Sequence, residues 1–498
     1  MSCSAELLDS DWEKLQIDKC EGNNADKPVE KLHCAALDGR LSILQQFFKD
    51  TYDNNPDFIV SVPGRVNLIG EHVDYSGYGV IPMAVEQRVL IALRANGSEI
   101  TTLVNMEKKY EKAEIDSTFR ASTKPLWYHY FQCGIQGALE YSEAMKYKGM
   151  DVAVWGNIPP NAGLSSSSAL VSAAAICMFL MNEPTVPLPG RKELADLCAK
   201  AERLIGTQGG GMDQAIAFLA TEGYAKHIEF DPLRCVDVQL PKNAVFVVAH
   251  SMVEKNKAAS NVFNTRVEEC RLAAKCIAAQ KRLSWQKVRT LSDVQKMLEC
   301  NPQKMASLVG DILSDQGYSR DQIASFLGIS SKELEEVYMS HGTKDVEEFY
   351  LKNRARHVYQ EVARVYKFKN CCETLPEKDG ILVLGKLLTE SHESLKNLFE
   401  CSDPALDELV DISRSHTLGA RMVGAGWGGC IVALTTADKV DQYKEDLKRN
   451  YYSSKGVGDA EFGNFVFVTR PGSGAQIHVL NPEKLFGKDS GEGESKNV

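Results

Sequence analysis

The sequence predicts an α+β protein of two lobes, and three observations predict it. A chain of 498 residues exceeds what one ordinary core serves and suggests two or three domains. The stretch from Asp57 to Leu93 is rich in Val, Ile and Gly, which reads as strands joined by tight turns. Past Ala244–Ala249 (AVFVVA), a short apolar run that reads as a buried strand, the chain is mainly helical to about residue 415, so a second lobe is expected to start near 250.

Taken in order, residues 1 to 40 are polar with weak periodicity and read as an N-terminal extension. From Ser42 the residues Ile43, Leu44, Phe47 and Phe48 recur at helical spacing and open the first lobe, drawn at 41–250. Helices are expected over Ser165 to Met181 and over Arg191 to Ile205, where Leu194, Leu197, Ala201 and Leu204 form a stripe. The second lobe is drawn at 251–486, with a helical insertion and the Gly-rich RMVGAGWGGCIVALTT near its end. The tail, 487–498, is polar enough to be expected disordered.

Composition excludes several classes of function. A net charge of -10 argues against a broad nucleic-acid or anionic-membrane surface, because both need clustered Lys and Arg. The 14 cysteines show no Cys-x-x-Cys pair and no spacing of a zinc site or disulfide framework, which suits free thiols in a reducing compartment. Acidic residues Glu6, Asp9, Asp11 and Glu13 interrupt the N-terminus, so no signal peptide is read there, and no run reaches the roughly 18 apolar residues of a membrane span. A cytoplasmic protein is expected.

Three motifs carry chemistry. Pro159 to Ser168 (PPNAGLSSSS) runs directly into an apolar helix; Gly163 permits close backbone approach, and the serines fall in the first helical turn, where free N–H groups and the helix dipole favour an anion. This reads as a phosphate cradle outside the Walker class, since no GxxxxGK[ST] occurs; the plain alternative is that serines cap helices routinely. Glu202, with apolar helical neighbours Cys198 and Ile205, should sit at the edge of a buried face, where a bound cation or a basic partner would relieve its charge. Asp213 follows Gly209-Gly210-Gly211 and is either an N-cap or a carboxylate placed where a ligand can reach the backbone. In Pro63 to Tyr75 (PGRVNLIGEHVDY), Glu71, His72 and Asp74 form a dense donor and acceptor set able to read a polyol, and Arg65 supplies a permanent cation suited to a transferring phosphoryl group.

These motifs resemble those of a known family. GRVNLIGEHVDYSGYGVIPMAVEQ resembles the galactokinase signature, PPNAGLSSSSAL the second motif of the GHMP small-molecule kinases and RMVGAGWGGC their third. TKPLWYHYF, AERLIGTQGGGMDQ and VEKNKAASNVFNTRVEECRLAAK look closest to N-acetylgalactosamine kinases. The resemblance implies two α+β lobes with the active site in the cleft between them, and transfer of phosphate from ATP, with Mg²⁺, to the anomeric hydroxyl of N-acetylgalactosamine or galactose. It implies Asp213 facing that hydroxyl with Arg65 beside it, and Glu71, His72, Asp74 and Gly210 around the sugar. Gly163, Ser165, Ser166 and Ser167 would wrap the phosphates, Ser167 and Glu202 would hold Mg²⁺, Trp127 would lie near adenine, and Asn256 and Lys257 would contact the nucleotide. Galactokinases usually place a Tyr where this chain has Phe263, and the missing hydroxyl would leave room for a 2-acetamido methyl. A monomer acting on a sugar and ATP is expected, with no nucleic-acid or membrane partner.

Two competing readings rest on other features. A catalytically silent sugar sensor would keep the fold, yet such relatives are impaired in the serine loop, which is intact here. The segment Asp321 to Ser330 resembles the core of a helix-turn-helix, but Glu333, Glu335 and Glu336 on the would-be recognition helix would repel phosphates, and Ser330 with Glu333 makes an ordinary capping box. Gly424 to Gly429 satisfies GxGxxG, but strand-like CIVALTT follows it, which rules out a dinucleotide fold.

Overall fold

The computed structural model describes residues 26–29, 31–33, 39–120, 122, 124–254, 261–339, 343, 345–481 and 483. The strands are β1 (Lys31–His33), β2 (Phe58–Ile69), β3 (Ile81–Ala95), β4 (Thr101–Asn105), β5 (Ala113–Ile115), β6 (Met150–Gly156), β7 (Ala225–Glu229), β8 (Arg234–Val238), β9 (Val245–His250), β10 (Gly419–Met422), β11 (Cys430–Thr435), β12 (Val466–Thr469) and β13 (Gln476–Val479). The helices that matter to the site are α1 (Gly39–Tyr52), α2 (Trp127–Leu139), α3 (Ser166–Asn182), α4 (Arg191–Glu202), α5 (Met212–Leu219), α6 (Val262–Gln280), α7 (Leu351–Thr374) and α8 (Glu377–Ser394).

The first lobe is a mixed sheet in the order β1-β13-β2-β3-β6-β4-β5. Its inner strand β2 is buried along its whole length, because α3 and α5 cover it, and its sequence FIVSVPGRVNLI is correspondingly apolar apart from Ser61, Arg65 and Asn67. Register shifts between Pro63 and Arg65 and between Asn67 and Ile69 bracket Arg65. Such bulges re-aim single side chains, here a guanidinium inside a buried strand. Helix α3 is buried on nearly every side, and its small residues let α2 approach: a Cβ on Gly134 would lie 2.2 Å from the Val171 carbonyl oxygen. Helix α1 covers the other side of β3 and β6.

The second lobe is an antiparallel sheet, β10-β11-β9-β12, packed against α8 and the helix Pro404–Ser413, with α7 lying against both α8 and α6. Three further helices, Leu291–Leu298, Pro302–Ile312 and Arg320–Leu327, precede the GISSKELEE segment near which the sequence placed a helical insertion. There Ser330 Oγ accepts from the Glu333 amide at 3.1 Å and Arg320 pairs with Glu335 at 3.3 Å, so this segment's polar groups are used locally.

Three lobe boundaries drawn from the sequence need correction. Strand β9 ends at residue 250 yet lies at the heart of the second-lobe sheet, between β11 and β12. Strand β13, assigned to the second lobe, returns to pair with β2, and β1, set aside with the N-terminal extension, pairs with β13 in parallel. Pairing between strands hundreds of residues apart leaves no local periodicity to read. Residues 1–25 of the extension and the tail 487–498 lie outside the described residues.

His227 on β7 is fully buried, its two ring nitrogens have no hydrogen-bond partner among the described residues, and burial, with Lys369 nearby, pushes its pKa down from 6.5 to about 3. The folded chain therefore takes up this proton later than the unfolded chain does. Stability from this group is full above about pH 6.5 and falls as pH drops from there toward 3, by about 2 kcal/mol at pH 5. In urea unfolding at pH 7 and pH 5, His227→Leu is expected to lose about 2 kcal/mol less than the wild type between the two. Equal losses would contradict the assignment.

Candidate active site

The serine loop follows β6 and enters α3 through three left-handed residues, Asn161 (φ 53°), Gly163 (φ 73°) and Ser165 (φ 63°). The two non-glycine residues are costly in that region, by about 1–3 kcal/mol each, and persist only where the surroundings fix them. The surroundings here are the second lobe's Gly-rich turn. A Cβ on Gly163 would lie 2.4 Å from the Val423 carbonyl oxygen, one on Gly424 would lie 2.6 Å from that of Gly163, and the Cys430 amide donates to the Ala162 carbonyl at 3.1 Å. On its other side the loop is held by β2, where the Arg65 amide donates to Leu164 at 3.1 Å. Ser166 and Ser167 occupy the first turn of α3, and Ser165 at its N-cap makes no side-chain capping bond; its buried Oγ has no partner among the described residues.

Behind the loop lies a cluster of charged groups. Arg65, 2% exposed, donates from Nε to Asp213 Oδ1 at 2.8 Å, pairs with the same oxygen through Nη2 at 2.8 Å, and donates from Nη1 to the Gly163 carbonyl. Asp213 is the second residue of α5 rather than its N-cap; Gly211, at φ 105°, caps the helix and leaves the Asp213 carboxylate facing Arg65. Glu202 closes α4. Its Oε2 accepts from Ser168 Oγ at 2.7 Å and from Gln214 Nε2, while Ser168 Oγ also lies 3.4 Å from Asp213 Oδ2. The hydroxyl that bonds Glu202 is that of Ser168, while Ser167, expected beside Glu202 at a magnesium ion, lines the same cleft as Glu202. Consecutive serines differ only in their direction around the helix, which the sequence alone does not settle.

The polyol motif leaves β2 at the lobe junction. Glu71 is bound through Oε2 by the Arg421 guanidinium and by the Gly424 amide at 3.0 Å, and its second oxygen makes no hydrogen bond among the described residues. His72 is held at both ring nitrogens. Its Nε2 lies 3.1 Å from the Ala425 carbonyl, which only accepts, so Nε2 carries the hydrogen and Nδ1 accepts from the Tyr75 hydroxyl at 2.8 Å. Both nitrogens are thus bonded within the protein, and the ring, stacked 4.5 Å from Phe399, forms part of the chamber wall. Asp74 meets Gly210 so closely that a Cβ on the glycine would lie 2.5 Å from its carboxylate. Phe263, 6% exposed, packs 5.8 Å from both the His72 and Tyr75 rings.

These groups line two connected spaces. A cleft of about 1310 Å³ runs past Tyr110, Trp127, Trp155 and the serine loop. A smaller chamber is lined by Glu71, His72, Asp74, Tyr75, Gly209 to Gly211 and Phe263. Arg65, Glu202, Thr207, Asp213 and Ala425 border both, so the charged cluster stands where they meet. Trp127 opens α2 and donates from its indole N–H to the Glu111 carbonyl at 3.1 Å, with its ring on the cleft. Asn256 and Lys257 lie outside the described residues. Ser168, Thr207, Tyr75 and the Gly424–Ala425 backbone lie within motifs quoted from the sequence but were given no role at the site there.

A nucleotide-sized cleft joined to a small polar chamber at an Arg–Asp pair is the arrangement of a small-molecule kinase. The family models agree: "GHMP kinases N terminal domain" matches residues 130–221, "GHMP kinases C terminal" residues 378–453, and "Galactokinase galactose-binding signature" residues 46–95. A galactokinase of Dictyostelium discoideum is 39% identical, covering 88% of this chain and 94% of its own, and one of Saccharomyces cerevisiae is 30% identical over 88% and 94%. The structure of Lactococcus lactis galactokinase complexed with galactose superposes with a TM-score of 0.67 at 24% identity, covering 88% of this chain and all of that one, and a mevalonate kinase structure gives 0.51 at 19% identity, covering 83% and 98%, which extends the likeness of fold. The chain belongs to the galactokinase family of GHMP kinases.

The contact between Gly163 and the Gly-rich turn can be tested directly. Gly163→Ala places a Cβ against the Val423 carbonyl in a left-handed residue and is expected to cost roughly 1–3 kcal/mol in thermal or urea unfolding. An unchanged unfolding transition would mean that the two loops do not touch.

Proposed function

We propose that this protein transfers the terminal phosphoryl group of ATP to the anomeric hydroxyl of a galactose-type sugar, giving the α-sugar 1-phosphate and ADP. The observation that carries the reading is the placement of Asp213 and Arg65 at the border of the nucleotide-sized cleft and the polar chamber. The cleft would take the nucleotide, with its phosphates at the mouth of α3, and the chamber would take the sugar, with Glu71 and Asp74 reading its other hydroxyls.

Phosphoryl transfer asks little covalent chemistry of a protein and much positioning and charge stabilisation. Arg65 is held from two sides by Asp213 and the Gly163 carbonyl, so its charge is fixed where the transferring group would pass. Asp213 would orient the anomeric hydroxyl or accept its proton; both roles need the carboxylate where it stands. A magnesium ion brought with the nucleotide needs few protein ligands, since it keeps waters and phosphate oxygens. The residues present fit it: Glu202 and Ser167 both line the cleft beside Asp213, while among the described residues no set of His, Cys, Asp and Glu forms a ready-made metal cage. When bound, the ion would neutralise charge on the phosphates, with Glu202 and Ser167 holding it.

Galactose is the first candidate substrate. The relatives at 39% and 30% identity carry the name galactokinase, which supports galactose ahead of the N-acetylgalactosamine that the sequence suggested. The second reading, N-acetylgalactosamine, is favoured by Phe263, which lines the chamber and offers ring surface where a tyrosine would offer a hydroxyl. Differences of one such contact are worth about 1–3 kcal/mol, enough to bias selection.

Asp213→Asn leaves the buried Arg65 without its charged partner and is expected to lower the melting temperature while staying folded at the assay temperature, and to lower kcat by roughly 10²- to 10⁴-fold in a coupled ADP-release assay. A folded variant with unchanged kcat would remove Asp213 from the reaction. Phe263→Tyr is expected to shift the ratio of kcat/KM for galactose over N-acetylgalactosamine toward galactose by roughly tenfold; an unmoved ratio would mean that the ring does not face the sugar.

A further inference from the structure

Between Ile69 and Val73 the polyol motif leaves the β2 ladder, and its backbone is held by the second lobe. Helix α7 brings Glu361, fully buried, against the turn: Oε1 accepts from the Gly70 amide at 2.9 Å, the Glu71 amide at 3.3 Å and Ser391 Oγ at 2.7 Å. Its Oε2 accepts from Arg364 Nε at 2.7 Å. One turn along α7, Val365 packs so tightly that a Cβ on Gly70 would lie 2.9 Å from its methyl. One turn back, His357 faces the Glu71 carbonyl at 3.1 Å. Burial lowers the His357 pKa to about 4, so at neutral pH its Nε2–H donates to that carbonyl and Nδ1 accepts from Ser394 Oγ at 2.9 Å. Arg421, fully buried on β10, completes the cage by donating to the Leu68 carbonyl at 3.1 Å, binding the Glu71 carboxylate and lying 3.9 Å from Glu361.

From this we infer that Glu361 is a positioning residue for the sugar. It fixes the backbone of residues 68–72 so that the Glu71 carboxylate and the His72 ring form the chamber wall in one arrangement. It touches neither proposed substrate and lines neither space. A general scaffold would need only apolar packing here. Instead a carboxylate is buried with two amides, a serine and two arginines, a polar network in which both Glu361 oxygens are bonded and which specifies geometry more sharply than an apolar contact would. Burial alone would raise the Glu361 pKa; Arg364, Arg421 and the Ser391 hydrogen bond overcome it and hold the group down to about 2, so it stays ionised wherever the enzyme works.

The inference rests on the proposed sugar kinase activity, and the test separates the two. Steady-state kinetics of the full chain, with galactose and ATP varied in turn, would be measured for wild type, Glu361→Gln and Ser391→Ala, with melting temperatures alongside. Misplacement of a binding loop by a fraction of an ångström should raise KM for galactose roughly tenfold in Glu361→Gln and about two- to threefold in Ser391→Ala, while KM for ATP stays within about twofold. If Glu361→Gln does not fold, Ser391→Ala decides alone, by the same split. Unchanged KM for galactose in the folded variants, or a lower melting temperature with both KM values unmoved, would overturn the positioning role. Wild-type protein that releases no ADP with either sugar would reject the functional reading, and the inference with it.

Discussion

The site depends on a backbone contact between two glycines from different lobes. Gly163 in the serine loop and Gly424 in the turn before β11 approach so closely that neither could carry a side chain. The approach lets the Cys430 amide reach Ala162 and lets Arg65, from within β2, reach the Gly163 carbonyl. The loop is therefore pinned between an inner strand of one sheet and the Gly-rich turn of the other. The mouth of α3 stays open toward the cleft because the backbone, not a set of side chains, makes the joint. The same turn supplies the Gly424 amide to Glu71 and the Ala425 carbonyl to His72. One short segment thus aligns the proposed phosphate loop with the proposed sugar wall.

Two buried arginines distinguish this junction from an ordinary interface between lobes. Arg65 and Arg421 are 2% and 0% exposed, and each faces a carboxylate from a different element, Asp213 and Glu71. Burying a guanidinium is costly and is offset only when its donors are matched. Here they are matched by the Gly163 and Leu68 carbonyls as well as by the acids. Removing one partner would leave the other charge buried and uncompensated, typically at about 3–5 kcal/mol. Such pairs are a poor route to stability alone, and their value lies in fixing where charge stands.

The elements were legible in the sequence where they are local. The apolar helix after the serines, the strand pair around PGRVNLIGEHVDY and the strand after the Gly-rich turn all follow from periodicity and from glycine placement. Arg65, Glu202 and Asp213 were legible as charges inside apolar patterns, and the structure brings them together with the serine loop. What escaped was anything decided by direction or by distant pairing. The hydrogen bond from Ser168 to Glu202, the bond between His72 and the Ala425 carbonyl, and the return of β13 to the first sheet depend on neighbours far along the chain. Glu361 carried no sequence signal, since a Glu among RHVYQEVARVY looks like the solvated face of a helix until Gly70 is seen against it.

The central claim is that the charged border between cleft and chamber serves transfer to an anomeric oxygen. Phosphorus NMR of the product formed from ATP and galactose, with coupling to the sugar protons, tests it most directly. The account predicts one new sugar phosphate, formed in step with ADP, whose phosphorus couples to the α-anomeric proton. A phosphorus coupled to the C6 protons instead, or ADP formed with no sugar phosphate at all, would contradict it.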